Sequence, residues 1–247
     1  MDEKFIRGIK IDWNKIGKNN YVRKIPSIDS INRLDFNSSI TFFVGENGAG
    51  KSTLLESIAV AYGFNAEGGN RNFNFSTMDT HSDLYKAINV VKGALRPKSN
   101  FFLRAESFYN VASKIEEYRD GDDYNTYYES YGGKSMHEQS HGESFLALIQ
   151  NRFTANGLYI LDEPEAALSP QRQLTLLMHI YNLAKKGSQF IIASHSPILL
   201  GIPEASILSF DEGIIREIKY EETESYRITE LFINNKELLL NNLLNNE

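Results

Sequence analysis

The feature that most restricts the fold is a run of three glycines within six positions, Gly45, Gly48 and Gly50. Glycine is costly to order, so such a run is typical of a loop that needs left-handed backbone or close approach by another group. Residues 40–44 before it are mostly apolar and β-branched or aromatic, which predicts a buried strand. Residues 52–63 after it carry apolar side chains at helical spacing and end in glycine. The stretch therefore predicts strand, glycine loop and helix.

The glycine loop fits the pattern G-x-x-x-x-G-K-[ST], known as Walker A. In that pattern backbone N–H groups surround nucleotide phosphates, and the following helix adds the positive end of its dipole. We expect Lys51 to reach the β and γ phosphates and Ser52 to give its hydroxyl to Mg²⁺. The alternative is a glycine-rich turn that carries Lys-Ser by chance. The flanking strand and helix favour a phosphate site for ATP or GTP.

Two acids follow a second apolar strand, in the sequence LYILDEPEAALS. The apolar residues 158–161 predict a buried strand, so Asp162 and Glu163 emerge together at its end. Asp162 suits a metal ion, and Glu163 suits the activation of an attacking water. An ordinary acidic turn is the alternative interpretation. The Walker A loop upstream makes that alternative less favoured than a metal and water site. Strands that alternate with helices along the chain predict an α/β fold with a mainly parallel sheet, whose ligands sit at the carboxyl ends of the strands.

Residues 140–144, Ser-His-Gly-Glu-Ser, open a predicted helix. Ser140 as the N-cap and Glu143 three positions later form a capping box, which is the simpler interpretation. A helix start with a glycine and free N–H groups is also suited to bind a phosphate. His195 follows another predicted strand, at a position where its imidazole can meet the γ-phosphate. A structural role is the alternative for this histidine.

Together these motifs resemble those of the ATP-binding-cassette (ABC) ATPases, and they occur in that family's order over about three fifths of the chain. The resemblance assigns a Walker A loop, a signature motif, Walker B with the catalytic glutamate, a D-loop and a switch histidine. In that order the matching residues are Gly45, Glu46, Asn47, Gly48, Ala49, Gly50, Lys51, Ser52 and Thr53; Ser140, His141, Gly142, Glu143 and Ser144; Leu158 to Glu163; Ala167, Leu168 and Ser169; and His195.

The resemblance is nearest to small stand-alone bacterial ATPases of the SMC/OLD-like, AAA-labelled branch. It implies a P-loop NTPase head with a mainly parallel sheet flanked by helices, an antiparallel β subdomain and a helical signature subdomain. It also implies ATP and Mg²⁺ as cofactors, with Lys51, Glu163 and His195 as catalytic residues. Two copies would associate head to tail, so that the signature motif of one meets the γ-phosphate held by the other.

Two positions depart from the family pattern. Transport cassettes carry a glutamine at a strand end between Walker A and the signature, whereas this chain reads FFLRAESF there. Arg104 or Glu106 would take its place beside the metal or the γ-phosphate, although ordinary ion pairing at a strand end explains them equally well. Tyr21 lies about where the family has an aromatic residue that stacks on adenine. A tyrosine at a sheet edge is the simpler interpretation.

The 247 residues are enough for one large α/β domain or two small ones, and the absence of cysteine fits a reducing compartment. With a formal net charge of −6, we expect the chain to be a single cytoplasmic domain. We expect residues 1–65 and 155–220 to form the core lobe, 66–154 a loop and helical signature region, and 221–247 a helical tail. No leader peptide or membrane-spanning run is expected. The net charge does not indicate nucleic-acid binding, although a local basic groove remains open.

Near the C-terminus, residues 206–223 predict a hairpin with its turn at 211–213. The leucine-rich tail after it is expected to pack on its own domain, with a partner-binding helix as the alternative. The resemblance favours an ATP-driven dimeric switch that works with an unidentified protein partner in DNA maintenance or phage defence. The alternatives are a nucleotide-binding subunit of an ABC transporter, and an ATP-dependent clamp with slow hydrolysis.

Overall fold

A computed structural model describes residues 4–66, 68–69, 82–105, 108 and 141–244. The strands are β1 (Ile6–Ile11), β2 (Arg33–Asp35), β3 (Ile40–Val44), β4 (Ile88–Lys92), β5 (Ser99–Arg104), β6 (Gly157–Asp162), β7 (Gln189–Ala193), β8 (Ser206–Ser209) and β9 (Arg216–Ile218). The α-helices are α1 (Pro26–Asp29), α2 (Lys51–Tyr62), α3 (Leu84–Ala87), α4 (His141–Arg152), α5 (Pro170–Ala184), α6 (Pro197–Leu200), α7 (Glu224–Asn234) and α8 (Lys236–Leu244). No helix in these ranges is long and apolar enough to cross a membrane.

The central sheet has the strand order β5-β6-β7-β3-β8-β9. Its first five strands run parallel, and β9 returns antiparallel to β8. The predicted mainly parallel sheet is confirmed, as is the predicted C-terminal hairpin. Because parallel strands share an orientation, the carboxyl ends of β3, β6, β7 and β8 meet at one edge of this sheet. The candidate site residues follow these ends.

A smaller antiparallel sheet has the order β2-β1-β4. The sequence analysis did not predict β4, whose buried, exposed and half-buried positions show no regular alternation. Gln189, which opens β7, joins the two sheets. Its Oε1 accepts hydrogen bonds from the backbone N–H groups of Phe5 and Ile6, both at 2.9 Å, and its Nε2 donates to the Ile6 carbonyl at 2.7 Å. A buried amide thus supplies both the acceptor and the donor that the backbone at the start of β1 requires.

The strand β3 is buried on both faces. Phe42 packs with side chains from α4 and α5 on one face, and Phe43 packs with side chains from β1 and α2 on the other. Both rings are fully buried. Full burial of a side chain of this size is worth about 1.5–3 kcal/mol. The strand before the glycine loop therefore contributes to both core clusters, which fixes the place where the loop begins.

The tail differs from the prediction that it packs on its own domain. In α7 and α8 no residue is buried, and the large apolar side chains Ile233, Leu243 and Leu244 are 71%, 68% and 73% exposed. The reason is that α7 touches the body through α6 and the short helix Tyr220–Glu222, while α8 touches α7. Few body elements are therefore near enough to cover its leucines.

Replacing Gln189 tests the link between the two sheets. In Gln189→Ala three buried backbone groups lose their partner, so we expect the free energy of unfolding to fall by about 2–5 kcal/mol. Gln171→Ala is the matched control, because Gln171 is exposed on α5, and its change should stay within about 0.5 kcal/mol. Urea unfolding followed by circular dichroism measures both. Equal unfolding midpoints for the two variants would contradict the assigned role of Gln189.

Candidate nucleotide site

The loop between β3 and α2 has the backbone that the glycine pattern predicts. Gly45, Gly48 and Gly50 have φ values of 138°, 82° and 97°, in a region that L-residues other than glycine rarely adopt. At Gly50 a Cβ atom would also lie 2.8 Å from a side-chain carbon of Ile25. The helix α2 begins at Lys51 and ends before Gly63, whose φ is 113°. The predicted strand, loop and helix are confirmed, and the first N–H groups of α2 face the loop.

Lys51 is folded back over this loop. Its Nζ atom donates to the carbonyl oxygens of Gly45 at 2.6 Å and Glu46 at 2.8 Å, and the residue is only 5% exposed. Burial lowers the pKa of Lys51, while the nearby carboxylates, first Glu163 and then Asp211, act in the opposite direction. An ammonium group held by neutral carbonyls in a buried loop is available to an anion, because phosphate oxygens are stronger acceptors.

Ser52 and Asp162 meet at the head of α2. The Ser52 Oγ donates to Asp162 Oδ1 at 2.9 Å, and the Nε of Arg104 lies 3.5 Å from Asp162 Oδ2. Arg104 also forms an ion pair with Glu56. Arg104 therefore takes part in the strand-end ion pairing that the sequence left open, whereas Glu106 lies outside the described residues. A hydroxyl and a carboxylate beside a phosphate loop form the oxygen donor set that a hard divalent cation takes, so these residues fit Mg²⁺.

Glu163 and His195 line one cavity of about 540 Å³ with Glu46, Asn47 and Glu224. Glu163 has a φ of 49°, a conformation that costs a residue with a side chain on the order of 1–3 kcal/mol. Its backbone N–H donates to the Ala193 carbonyl at 2.9 Å, which ties the end of β6 to the end of β7. The sequence placed these two side chains after separate strands, and the fold brings them to one cavity.

The imidazole of His195 has an unsatisfied atom. Within the described part of the chain, its Nε2 is buried without a hydrogen-bond partner. Burial lowers the pKa of His195, and Lys51 adds to that effect, so the ring is neutral at neutral pH. A buried polar atom without a partner is uncommon, and it is suited to meet a ligand atom.

A larger cavity of about 1150 Å³ borders the same loop. Sequence reasoning missed three of its wall residues. The Asp211 Oδ1 accepts the backbone N–H of Glu46 at 3.0 Å, and the Ser27 Oγ donates to the Ala49 carbonyl at 2.5 Å. Glu224, the first residue of α7, lines both cavities. Asp211 follows β8, which pairs with β3, so the rule that parallel strand ends converge was the signal that could have found it.

Tyr21 is not among the residues that line this larger cavity. It lies in the short helix Tyr21–Lys24, where the Asn20 side chain accepts the Val22 N–H, and it is 52% exposed. The simpler interpretation of Tyr21 as a sheet-edge residue is therefore wrong. Ile25 and Pro26 stand at the cavity wall beside the glycine loop instead. The contact of Tyr21 with a nucleotide base stays a prediction.

The described part of the signature motif lies away from the glycine loop. A Cβ on Gly142 would be 2.6 Å from the Ala167 carbonyl, so only glycine fits there, and Glu143 pairs with Arg172 at 2.9 Å. Ser169 caps α5 through the Arg172 N–H. No described residue of α4 lines any of the cavities at the loop. Ser140 and the His141 side chain lie outside the described residues.

Comparison with known proteins places these features in context. A family model described as an AAA domain, AAA_23, matches residues 21–191. The ribose import ATP-binding protein RbsA of Clostridium perfringens (strain SM101, type A) is 25% identical over 187 residues, which cover 69% of this chain and 37% of that protein. The chain thus spans little more than a third of the length of this curated relative.

Two solved structures are also similar to the chain. The SMC head domain from Thermotoga maritima is 13% identical, with a TM-score of 0.41 over 76% of this chain and 92% of that one. A dimeric ATP-binding cassette in a post-hydrolysis state, bound to ADP and Pi, is 17% identical, with a TM-score of 0.47 over 88% of this chain and 98% of that one.

The lowered pKa of His195 predicts a pH effect on stability. The unfolded chain takes up the His195 proton near the ordinary pKa of about 6.5, whereas the folded chain takes it up only at lower pH. The contribution of His195 to the free energy of unfolding is therefore fully present above a pH of about 6.5 and is lost as the pH falls below it. We expect the free energy of unfolding of the wild type, minus that of His195→Gln, to be smaller at about pH 5.5 than at about pH 8.

Urea titrations of both proteins at the two pH values measure this difference. His179, whose pKa burial also lowers, is present in both proteins, so its contribution cancels. A difference that grows on acidification would show that the folded protein stabilises the imidazolium form of His195.

Proposed function

Since the chain belongs to the AAA_23 family of AAA domains, we propose that it binds and hydrolyses ATP at the loop between β3 and α2. One observation carries the proposal: three left-handed glycines, the buried Lys51 and the Ser52–Asp162 hydrogen bond meet at one strand-to-helix junction. This arrangement matches the requirements of a triphosphate, which needs converging N–H groups, a cation and an oxygen pair for its metal ion. The sequence match to RbsA, an ATP-binding protein by name, supports ATP as the nucleotide.

Each residue of the site has a proposed task. The backbone of residues 45–53 binds the phosphates, and Lys51 exchanges its two carbonyl acceptors for phosphate oxygens. Ser52 and Asp162 would hold Mg²⁺, which when bound neutralises phosphate charge. Glu163 accepts a proton from the attacking water at its carboxylate. The neutral His195 faces the same cavity and donates a hydrogen bond to the outermost phosphate.

We propose that the site is completed by a second copy of the chain. Gly142 and Glu143 lie against Ala167 and Arg172, and no described residue of α4 reaches the cavities. If the signature residues Ser140 to Glu143 contact phosphate, another chain must bring them. Residues 167–169 would lie at the same interface. The dimer is then an ATP-dependent head-to-tail homodimer, because each nucleotide contacts both copies.

Two biological settings follow from this switch. We favour an ATP-driven dimer that works with an unidentified protein partner in DNA maintenance or phage defence, a setting that rests on the SMC-like sequence resemblance. The alternative is a nucleotide-binding subunit of an ABC transporter, which the match to an import ATP-binding protein favours. Capture by the ATP-loaded Glu163→Gln protein discriminates between them. A permease would support the second setting, and a nuclease or DNA the first.

Lys51→Ala tests the phosphate site. Removing the cation that faces the phosphates should reduce ATP turnover by at least about 100-fold, and it should weaken binding of a fluorescent ATP analogue. Lys185→Ala is the control, because Lys185 is exposed and pairs with Glu204 away from the loop. Unchanged hydrolysis in Lys51→Ala would refute the site.

Glu163→Gln tests both water activation and dimer formation. The amide keeps the size of the side chain but removes the base, so ATP should bind and not turn over. We expect this variant with ATP and Mg²⁺ to scatter light as a dimer, and with ADP as a monomer. A monomer in both nucleotides would contradict the head-to-tail model while leaving the ATP site itself intact.

A further inference from the structure

We propose that Glu165 and Gln173 are positioning residues that fix His195 relative to Glu163 and to the turn 167–169. The inference rests on the proposed ATPase function and adds to it two residues that no motif assigned. Its basis is a chain of hydrogen bonds, here named the loop network, through Glu165, Leu168, Gln173, Ser194, His195 and Ser196.

Glu165 forms the first part of the loop network. Its Oε1 accepts the backbone N–H of His195 at 2.6 Å. The acid lies two residues after Glu163 on the turn that follows β6, whereas His195 follows β7. One side chain therefore ties the segment that carries the proposed base to the backbone that carries the imidazole.

The carboxyl group of Glu165 is buried, unlike that of an ordinary surface glutamate. Its second oxygen, Oε2, is buried and has no hydrogen-bond partner among the described residues. Burial raises the pKa of Glu165, which means that the fold holds this carboxyl group at a cost. An apolar side chain would avoid that cost but leave the His195 N–H without its acceptor. The carboxyl group of Glu165 therefore fixes the backbone N–H of His195.

Gln173 forms the second part of the loop network. From the first turns of α5, its Nε2 donates to the Leu168 carbonyl at 3.1 Å, and its Oε1 accepts the Ser196 hydroxyl at 2.6 Å. The Ser196 N–H in turn donates to the Ser194 Oγ at 3.1 Å. The planar amide supplies both a donor and an acceptor, so an ionised glutamate at this position would lose the bond to the Leu168 carbonyl and leucine would lose both bonds.

The two parts converge on the same pair of loops. Glu165 reaches from the turn after β6 to residue 195, and Gln173 reaches from residue 168 to residue 196. Residues 167–169 belong to the proposed interface with the second copy, and His195 shares a cavity with Glu163. A displacement at that interface would therefore move His195 relative to the base. Neither Glu165 nor Gln173 lines the cavities, so the effect should appear in turnover and not in nucleotide binding.

The test compares Glu165→Leu and Gln173→Leu with two reference variants. Glu165→Gln keeps an oxygen acceptor for the His195 N–H, and Gln171→Leu changes the same residue type at an exposed position on α5. We expect both leucine variants of the loop network to lower kcat by on the order of 10-fold to 100-fold, because small displacements of catalytic groups have effects of this size. Their dissociation constant for a fluorescent ATP analogue should stay within about twofold of wild type.

A conservative variant and a double variant provide two further tests of the proposal. Glu165→Gln should keep most of the wild-type kcat, and Gln171→Leu should match wild type. The double variant of Glu165→Leu with Gln173→Leu should lose less than the product of the single losses, because both act on one loop. Normal kcat in either single leucine variant, or a loss that is matched by weaker nucleotide binding, would overturn the proposal.

Hydrogen exchange of the peptide that spans residues 190–200 gives a readout independent of catalysis. In both leucine variants of the loop network the amide of His195 should exchange faster, while peptides of α2 keep their wild-type rates. Unchanged exchange would overturn the positioning role even if kcat fell. If the wild type hydrolyses no more ATP than Lys51→Ala, the proposed function fails, and the exchange data still decide whether Glu165 and Gln173 hold the loop.

Discussion

Parallel pairing of β3 with β7 and β8 is the constraint on which the site depends. Because these strands point the same way and β6 pairs in parallel with β7, the loops that follow the four strands all begin at one edge of the sheet. Distant segments thereby meet: the glycine loop, the acids at the end of β6, the histidine after β7 and Asp211 after β8. The hydrogen bond between Glu46 and Asp211, for example, joins residues that are 165 positions apart in the sequence. Because β3 is buried on both faces, a slip in this register would disturb close packing on both sides of the sheet.

Energetically costly arrangements of single residues occur at the same edge. Glu163 adopts left-handed φ without being a glycine, and Lys51 and Glu165 hold ionisable groups out of water. Each arrangement costs stability in isolation. The two-sided core around β3 and the Gln189 bridge to the small sheet supply the rigidity that keeps these groups in place. A site of this kind is built on strand ends because loops alone would relax the strain.

The sequence predicted the parts of the fold that have local signals. Residues 40–44 form the strand expected of them, and α2 begins one residue before the predicted boundary because Lys51 already takes helical backbone. The proximity of Asp162 to Ser52 could be predicted because both residues belong to recognisable motifs. The family and the mainly parallel fold were also accessible, since five motifs in order are far more specific than any one of them.

The missed parts depend on contacts between distant segments. Gln189 looks like an ordinary strand residue, and its bonds to β1 span more than 180 residues of sequence separation. Glu165 lies between two recognised motifs, and its partner is a backbone N–H, which leaves no mark in the sequence. The amphipathic pattern of α7 and α8 predicted packing, and only the structure shows that no residue of these helices is buried.

The position of the residues proposed as the signature motif bears on the proposed dimer. Gly142 lies against the Ala167 carbonyl, and Glu143 is paired with Arg172 of α5, so the start of α4 is in contact with the turn 167–169 and with α5. That turn is connected through Gln173 and Glu165 to the backbone of His195. A second copy that docks on the start of α4 would therefore press on a surface already connected to the histidine of the same chain. In the proposed head-to-tail dimer, these hydrogen bonds within each chain would couple nucleotide binding in one copy to the His195 backbone of the other.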